Sequence, residues 1–337
     1  MNLKQLAKEL NLSISTVSKA LDDSHEISEK TKSKVLEAAS KHNYTPNPYA
    51  SGLRKKRSNT IGVIIPEVAD NFFSLAINGI QSIAENKGYH LLIYLSHDKY
   101  ENERRIVEDC ANGRVDGVLI SISAETISAE HLLRLQKENV PLVFFDRALD
   151  DFEAAKVLTN DFESGYLSAK HLIENGCKRP MFLSFSECLT MCENRANGFF
   201  AALDDFKISS NEIVPIMYCS RKEEESYKQI QDLCNSNDRP DGIVASVEKL
   251  AMQLYLVCQD SAVSIPNDLK VVAFSTVEIA PILNPSLTTI TQPAFEMGRV
   301  AAENLFKGIE SKNFNLNQQV LIIPSQLIKR QSTSRYK

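Results

Sequence analysis

From Thr60 onward the chain alternates short apolar runs with stretches of helical period, and it does so twice. This alternation constrains the fold more than any other feature. Strands separated by helices lie parallel in one sheet, with helices covering both faces. Ile61-Gly62-Val63-Ile64-Ile65-Pro66 has the texture of a buried strand. The spacing then predicts a helix over 73–87, with Ala76, Ile80, Ile83 and Ala84 on one face, and a strand over 89–95. A helix over 99–111, a strand over 115–122, a helix over 129–138 and a strand over 141–145 complete the first set. The second set has helices at 162–174, 193–206, 223–233 and 248–259, and strands at 181–185, 213–218, 242–246 and 270–274. Asp116-Gly117-Val118-Leu119-Ile120 and Asp241-Gly242-Ile243-Val244-Ala245 occupy matching places, an internal echo of two similar lobes. Residues 287–291, a helix over 293–307 and residues 319–323 are then expected to return to the first lobe. Two such lobes face each other across a crevice at strand carboxyl ends, where small ligands bind.

The first 57 residues have a different character. Leu3, Leu6, Ala7 and Leu10 are spaced as one helical face, and Asn11 suits the left-handed backbone of a tight exit. Ser13 is placed to cap a second helix, in which Val17, Ala20 and Leu21 share a face. Ser15, Thr16 and Lys19 lie on its outer side, while Ile14, at the edge of the apolar face, can turn either way. This is the pattern of a helix-turn-helix, whose small hydroxyls and cation suit base edges and phosphates. A plain helical cap with a polar face has the same pattern. A third helix is expected over 28–42, capped by Ser28, before Pro46 and Pro48 break the period. Residues 47–57 are basic, with one prominent apolar residue, Leu53, and span at most two helical turns. Such a stretch reads as a linker, one able to order on a partner.

Charge divides the chain in the same way. Residues 1–57 hold eleven Lys/Arg against six Asp/Glu, whereas the whole 337-residue chain carries a net charge of -5. A basic head on an acidic body fits a chain of which only the head meets a polyanion. The seven cysteines, Cys110, Cys177, Cys188, Cys192, Cys219, Cys234 and Cys258, form no Cys-x-x-Cys and read as reduced, mostly buried small hydrophobes. The N-terminal Met-Asn-Leu-Lys-Gln has no apolar signal core and no run approaches ~18 apolar residues, so the expectation is a cytoplasmic chain with no membrane span. No phosphate-cradling loop, metal-ligand spacing or nucleophile elbow is present, so neither enzyme, cofactor nor metal is expected.

Leu6-Ala7, Ser15 to Leu21, Ile27-Ser28-Glu29-Lys30-Thr31, Asn43-Tyr44-Thr45-Pro46-Asn47, Ile61-Gly62-Val63, Pro285-Ser286-Leu287-Thr288-Thr289-Ile290 and Lys329-Arg330 together resemble the lactose-repressor (LacI/GalR) family. The resemblance covers essentially the whole chain. It implies an all-α helix-turn-helix head on an α/β core similar to periplasmic sugar-binding proteins, with two doubly wound parallel-sheet lobes. The implied boundaries are 1–45 for the head and 46–59 for a hinge helix and linker. They are 60–159 with 290–322 for the N-terminal lobe, and 160–289 with 323–337 for the C-terminal lobe. The implied activity is a homodimeric transcriptional regulator, a repressor of carbohydrate-utilisation genes, that binds pseudo-palindromic operator DNA under control of a sugar-like effector. A ligand-binding protein of solute-transport type is the alternative.

Carried over by motif, Ile14, Ser15 and Lys19 fall where the family's recognition helix meets bases. Thr16 and Ser18 fall at phosphate positions, and His25 at a loop position that also reaches DNA. Leu53 matches the hinge leucine that wedges into the minor groove, and Arg54 follows it. For the effector, Arg195 matches an arginine early in a second-lobe helix, Phe72 and Phe73 match first-lobe aromatics, and Asp146 matches a first-lobe polar position. Each also has a plainer reading, Arg195 as a surface partner of Glu187 or Glu193 and Phe73 as core. The chain departs from the family at Ser275, where an Asp is common, at Val247-Glu248 in place of Asn-Asp, and at Asn160-Asp161, which reverses the usual order. An arginine retained where an aspartate is lost favours an effector bearing an anionic group.

Overall fold

The computed structural model describes residues 2–44, 57–185, 189–208, 216–311 and 319–334. The chain divides into two compact units, Met1–Ser58 and Asn59–Lys337. In the first, helices α1 (Leu3–Glu9), α2 (Ile14–Leu21) and α3 (Glu29–Lys41) enclose a small core of Leu6, Ala7, Val17, Ala20, Val35, Ala38 and Ala39. Each start has a local cause. Asn2 and Gln5 exchange backbone-to-side-chain bonds of 2.9 Å as a capping box, and Ser13 Oγ accepts from Thr16 N at 3.0 Å. Asn11 takes the left-handed backbone at φ +52°. Ser28 precedes α3 but its hydroxyl meets Thr31 Oγ1 at 3.0 Å rather than a helix N–H, so the expected side-chain cap is not made.

The second unit holds two six-stranded sheets. The first is built from β1 (Thr60–Ile65), β2 (His90–Leu95), β3 (Gly117–Ile120), β4 (Leu142–Phe145), β5 (Ala155–Leu158) and β11 (Val320–Ile322), in the order β11-β5-β4-β3-β1-β2. All its pairs are parallel, with Ile61 opposite both Leu91 and Gly117. The second contains β6 (Pro180–Phe185), β7 (Ile216–Cys219), β8 (Gly242–Ala245), β9 (Lys270–Phe274), β10 (Thr288–Thr291) and β12 (Gln326–Ile328), in the order β12-β10-β9-β8-β6-β7. Only β12 runs antiparallel to its neighbour. The two orders superpose strand for strand, and Gly117 and Gly242 open equivalent strands. Each is preceded by an aspartate that accepts backbone N–H groups across the sheet end, Asp116 from Asn59 and Asp241 from Lys178 and Arg179.

The remaining helices are α4 (Asn71–Asn86), α5 (Tyr100–Asp109), α6 (Leu133–Lys137), α7 (Asp161–Glu174), α8 (Thr190–Asp205), α9 (Glu223–Asn235), α10 (Glu248–Asp260) and α11 (Ala294–Glu310). One tight helix pair packs on each lobe. In the second lobe a Cβ on Gly165 of α7 would lie 1.9 Å from Arg195 O of α8, and one on Gly198 would lie 1.9 Å from Phe162 O. Backbone meets backbone there, so these positions require glycine. In the first lobe Gly79 of α4 and Gly298 of α11 play the same part, each 2.0 Å from a carbonyl oxygen.

Three expectations change. Residues 288–291 belong to the second sheet, not the first: β10 pairs parallel with β9 and antiparallel with β12, and the chain returns to the first lobe only with α11. The strand β5 was not anticipated, because Lys156 interrupts a four-residue run; it is buried with Nζ donating to Asp150 O at 2.7 Å. Nor was β12, a three-residue edge strand whose polar-apolar texture carries little signal. Five of the cysteines are buried, Cys192 is partly buried, and Cys188 lies outside the described residues.

Candidate functional site

In the head, α2 presents one polar face. Ile14 is 41% exposed, so it turns outward, and Ser15 and Lys19, one helical turn apart, are exposed beside it. Thr16 and Ser18 are half-buried and His25 is exposed in the following loop. Ser13 Oγ lies 2.8 Å from the hydroxyls of both Ser15 and Thr16. Lys19 Nζ donates to the Glu26 carboxylate, which holds that acid below its usual pKa. Leu53 and Arg54 lie outside the described residues.

In the core, strand carboxyl ends of both sheets meet around two cavities. One, of about 250 Å³, lies beside the crossovers and is lined by Thr126, Asp146, Asp161 and Asn194 among others. The other, of about 410 Å³, is lined by Asp70, Asp98, Phe185, Cys192 and Arg221 among others. Arg147 and Leu189 line both. Asp146, at φ +64°, takes Ser121 Oγ at 3.3 Å and Gln292 Nε2 at 3.5 Å, and Arg147 Nε stands 3.7 Å from it. Burial pushes its carboxyl up to about 6, against the pull of Arg147 and Arg195.

Arg195 is 1% exposed. Its Nε donates to Asp161 Oδ1 at 2.7 Å, its Nη1 to Ser246 O at 2.8 Å, and its guanidinium lies 4.2 Å from the centre of the Phe274 ring. Nη2 is buried without a hydrogen-bond partner among the described residues. Burial alone would lower its pKa, and Asp161, through charge and hydrogen bond, together with Cys192 and Asp146 outweighs it, leaving it raised. The described partner is thus Asp161 rather than Glu193, and Glu187 lies outside the described residues.

The other expected residues disperse. Phe72 and Phe73 belong to the first-lobe core, with Phe73 edge-on to Phe145 and Arg147 5.8 Å from its ring centre. Asn160 Oδ1 accepts from Ser325 N at 2.8 Å and Ser164 Oγ at 3.2 Å, fastening a crossover, while the adjacent Asp161 lines the smaller cavity. Ser275 Oγ donates to Glu248 Oε2 at 2.7 Å.

Among the described residues, two side-chain ties join the lobes away from the crossovers. Asp98 Oδ2 accepts from Arg221 Nη1 of the second lobe at 3.1 Å, while its Oδ1 accepts from Arg147 Nη1 at 2.7 Å and Ala124 N at 3.1 Å. Burial works to raise the Asp98 pKa, and the two arginines with the Ala124 N–H outweigh it, leaving it lowered. Asn71 Nδ2 of the first lobe donates to Glu248 Oε1 of the second at 3.0 Å. Asp98, Asp161, Arg147 and Arg221 were not singled out from sequence. Only the adjacency of Arg147 to Asp146, and of Asp161 to Asn160, pointed toward any of them. Among the described residues no group of His, Cys, Asp and Glu could hold a metal, and no helix is long and apolar enough to cross a membrane.

Residues 2–47 match the family model described as bacterial regulatory proteins, lacI family. Residues 58–331 match that described as periplasmic binding proteins and sugar binding domain of LacI family. The HTH-type transcriptional repressor PurR of Vibrio atlanticus is 29% identical over 311 residues, 92% of each chain. The ribose operon repressor of Haemophilus influenzae is 28% identical over 98% of each chain. A LacI family transcriptional regulator from Enterococcus faecium with bound ribose superposes at TM-score 0.72, with 26% identity, over 82% of this chain and all of that one. The lac repressor dimer bound to operator and an anti-inducer superposes at TM-score 0.82 with 22% identity over 99% of each chain, a likeness of fold. With both parts matched in order, a helix-turn-helix head and a two-lobed effector-binding core, this chain is a DNA-binding transcriptional regulator, not an enzyme, and belongs to the LacI family.

Proposed function

We propose that the protein is a cytoplasmic repressor of carbohydrate-utilisation genes, a homodimer on a pseudo-palindromic operator, controlled by a neutral sugar-like effector held between its lobes. Ile14, Ser15 and Lys19 read bases, Thr16, Ser18 and His25 support them at phosphates, and Leu53 with Arg54 wedge the minor groove. The outward turn of Ile14 supports this, since an exposed aliphatic side chain on a polar helix face suits a thymine methyl.

The observation that carries the effector reading is the state of Arg195. It is buried and already neutralised by Asp161, while its Nη2 has no hydrogen-bond partner among the described residues. With Arg195 occupied in this way, the carboxylates Asp146 and Asp161 that line the smaller cavity suit polyol hydroxyls, which donate as well as accept. The acids Asp70, Asp98, Asp146 and Asp161 and the cations Arg147 and Arg221 line the cavities together, and Arg147 and Arg221 are engaged with Asp98, which favours a neutral effector over the anionic one expected from sequence.

Relatives similar to the chain are named HTH-type transcriptional repressor PurR and ribose operon repressor, and one similar structure carries ribose. Calorimetry with D-ribose, other neutral pentoses and hexoses, and their acids and phosphates tests the reading. Tight binding of an acid or phosphate, with none of the neutral sugars, refutes it. A gel-shift with DNA upstream of the protein's own gene tests the DNA side; no shift at low salt, with or without these sugars, refutes that part.

A further inference from the structure

Glu248, the first residue of α10, stands at the mouth of the cleft and is half-buried. Its Oε2 accepts from Ser275 Oγ at 2.7 Å and from Thr276 N at 3.2 Å, both in the second lobe. Its Oε1 accepts from Asn71 Nδ2 at 3.0 Å, the first residue of α4 in the first lobe. A carboxylate is acceptor-only, and here one oxygen serves each lobe. We infer that Glu248 is the positioning residue that joins the lobes at the cleft, and so sets how readily they part around a ligand.

A carboxylate meets all three donors at once with Asn71 as it stands; a glutamine that keeps Ser275 and Thr276 on its oxygen turns its NH2 toward Asn71 and keeps the tie only if the Asn71 amide turns to offer Oδ1. The other tie, Asp98 to Arg221, joins side chains that are 28% and 38% exposed and is correspondingly weakened by solvent. The Glu248 tie is charge-assisted on both sides. Two departures from the family pattern meet here: Ser275, where an Asp is common, is bonded to Glu248, where the pattern has the shorter Asp. This inference rests on the reading of the cleft as the effector site only for its consequence, not for its test.

The test is an exchange of donor and acceptor in the full-length protein. Glu248→Ala removes both carboxylate oxygens, and Asn71→Asp puts carboxylate against carboxylate. Asn71→Asp/Glu248→Gln restores a donor facing an acceptor, while the Gln oxygen keeps Ser275 and Thr276. Small-angle X-ray scattering without ligand should show each single variant expanded, with the population of parted lobes raised about tenfold or more, as loss of a charged hydrogen bond implies. The double variant should return to the wild-type curve. Single variants that scatter as wild type, or a folded double variant that stays expanded, overturn the inference. The scattering needs no sugar, so a wild type that binds no sugar counts against the effector reading and leaves this result standing.

Discussion

Replacing Asp161 by alanine tests the reading of Arg195 most directly. The guanidinium is 1% exposed and has two hydrogen-bond acceptors among the described residues, Asp161 and the Ser246 carbonyl. Asp161→Ala removes the charged one and leaves a buried cation beside a single neutral carbonyl. Breaking a buried pair in this way costs about 3–5 kcal/mol. Asp161 also opens α7, where an acid favours the helix N-terminus by about 0.3–1 kcal/mol, so the upper part of the range is expected. For a unit of this size each kcal/mol moves Tm by roughly 2–4 °C, placing the loss near 10 °C. Urea and thermal unfolding followed by circular dichroism measure it, with Asp161→Asn as the control that keeps the shape and an acceptor. Arg195→Met/Asp161→Leu, which removes both charges, should recover most of the loss. A loss below about 1 kcal/mol in Asp161→Ala, or no recovery in the double variant, refutes the view that a desolvated charge pair governs this site.

Three further outcomes are expected. Gly165→Ala drives a methyl to 1.9 Å from Arg195 O, so α7 and α8 must separate; a loss of roughly 2 kcal/mol or more in urea unfolding checks it. Asp146 titrates near 6 in the fold against an ordinary 3.8, so the folded state holds its proton longer. Stability relative to Asp146→Asn is thus greatest below pH 4 and falls as pH rises to about 6, by at most about 3 kcal/mol, which paired urea midpoints across pH 4–8 measure. Lys19→Ala should weaken operator binding and lower its salt slope by about 1 if Lys19 meets phosphate, or relax base preference if it meets a base, while Leu53→Ala should weaken operator binding and leave sugar affinity nearly unchanged; footprinting at two salt concentrations with calorimetry checks both.

The elements that were readable are those with a long or periodic apolar pattern. Ile61 to Ile65 is buried on both faces and needs no tertiary information to be a parallel strand. Ser13, Val17 and Ala20 specify α2 through a cap and a spacing. Lys156 hid β5, because its ammonium is satisfied by a carbonyl six residues earlier that no pattern points to. The cleft was less legible than the fold. Arg195 was found by its motif, but its meaning depended on Asp161, 34 residues away, and that pairing turned an anion-seeking cation into a neutralised one.

Local periodicity and capping were therefore enough to outline the head and the two lobes, while the regulator class came from the resemblance of motifs spread along the whole chain. Which carboxylate meets which arginine was decided only when strand ends from both sheets converged. Asp98 is bonded to Arg147 and Arg221 across 49 and 123 residues, and Glu248 to Asn71 across 177. A charge's pKa and partner depend on distance and desolvation in space, and neither quantity is defined along a chain until the chain has folded.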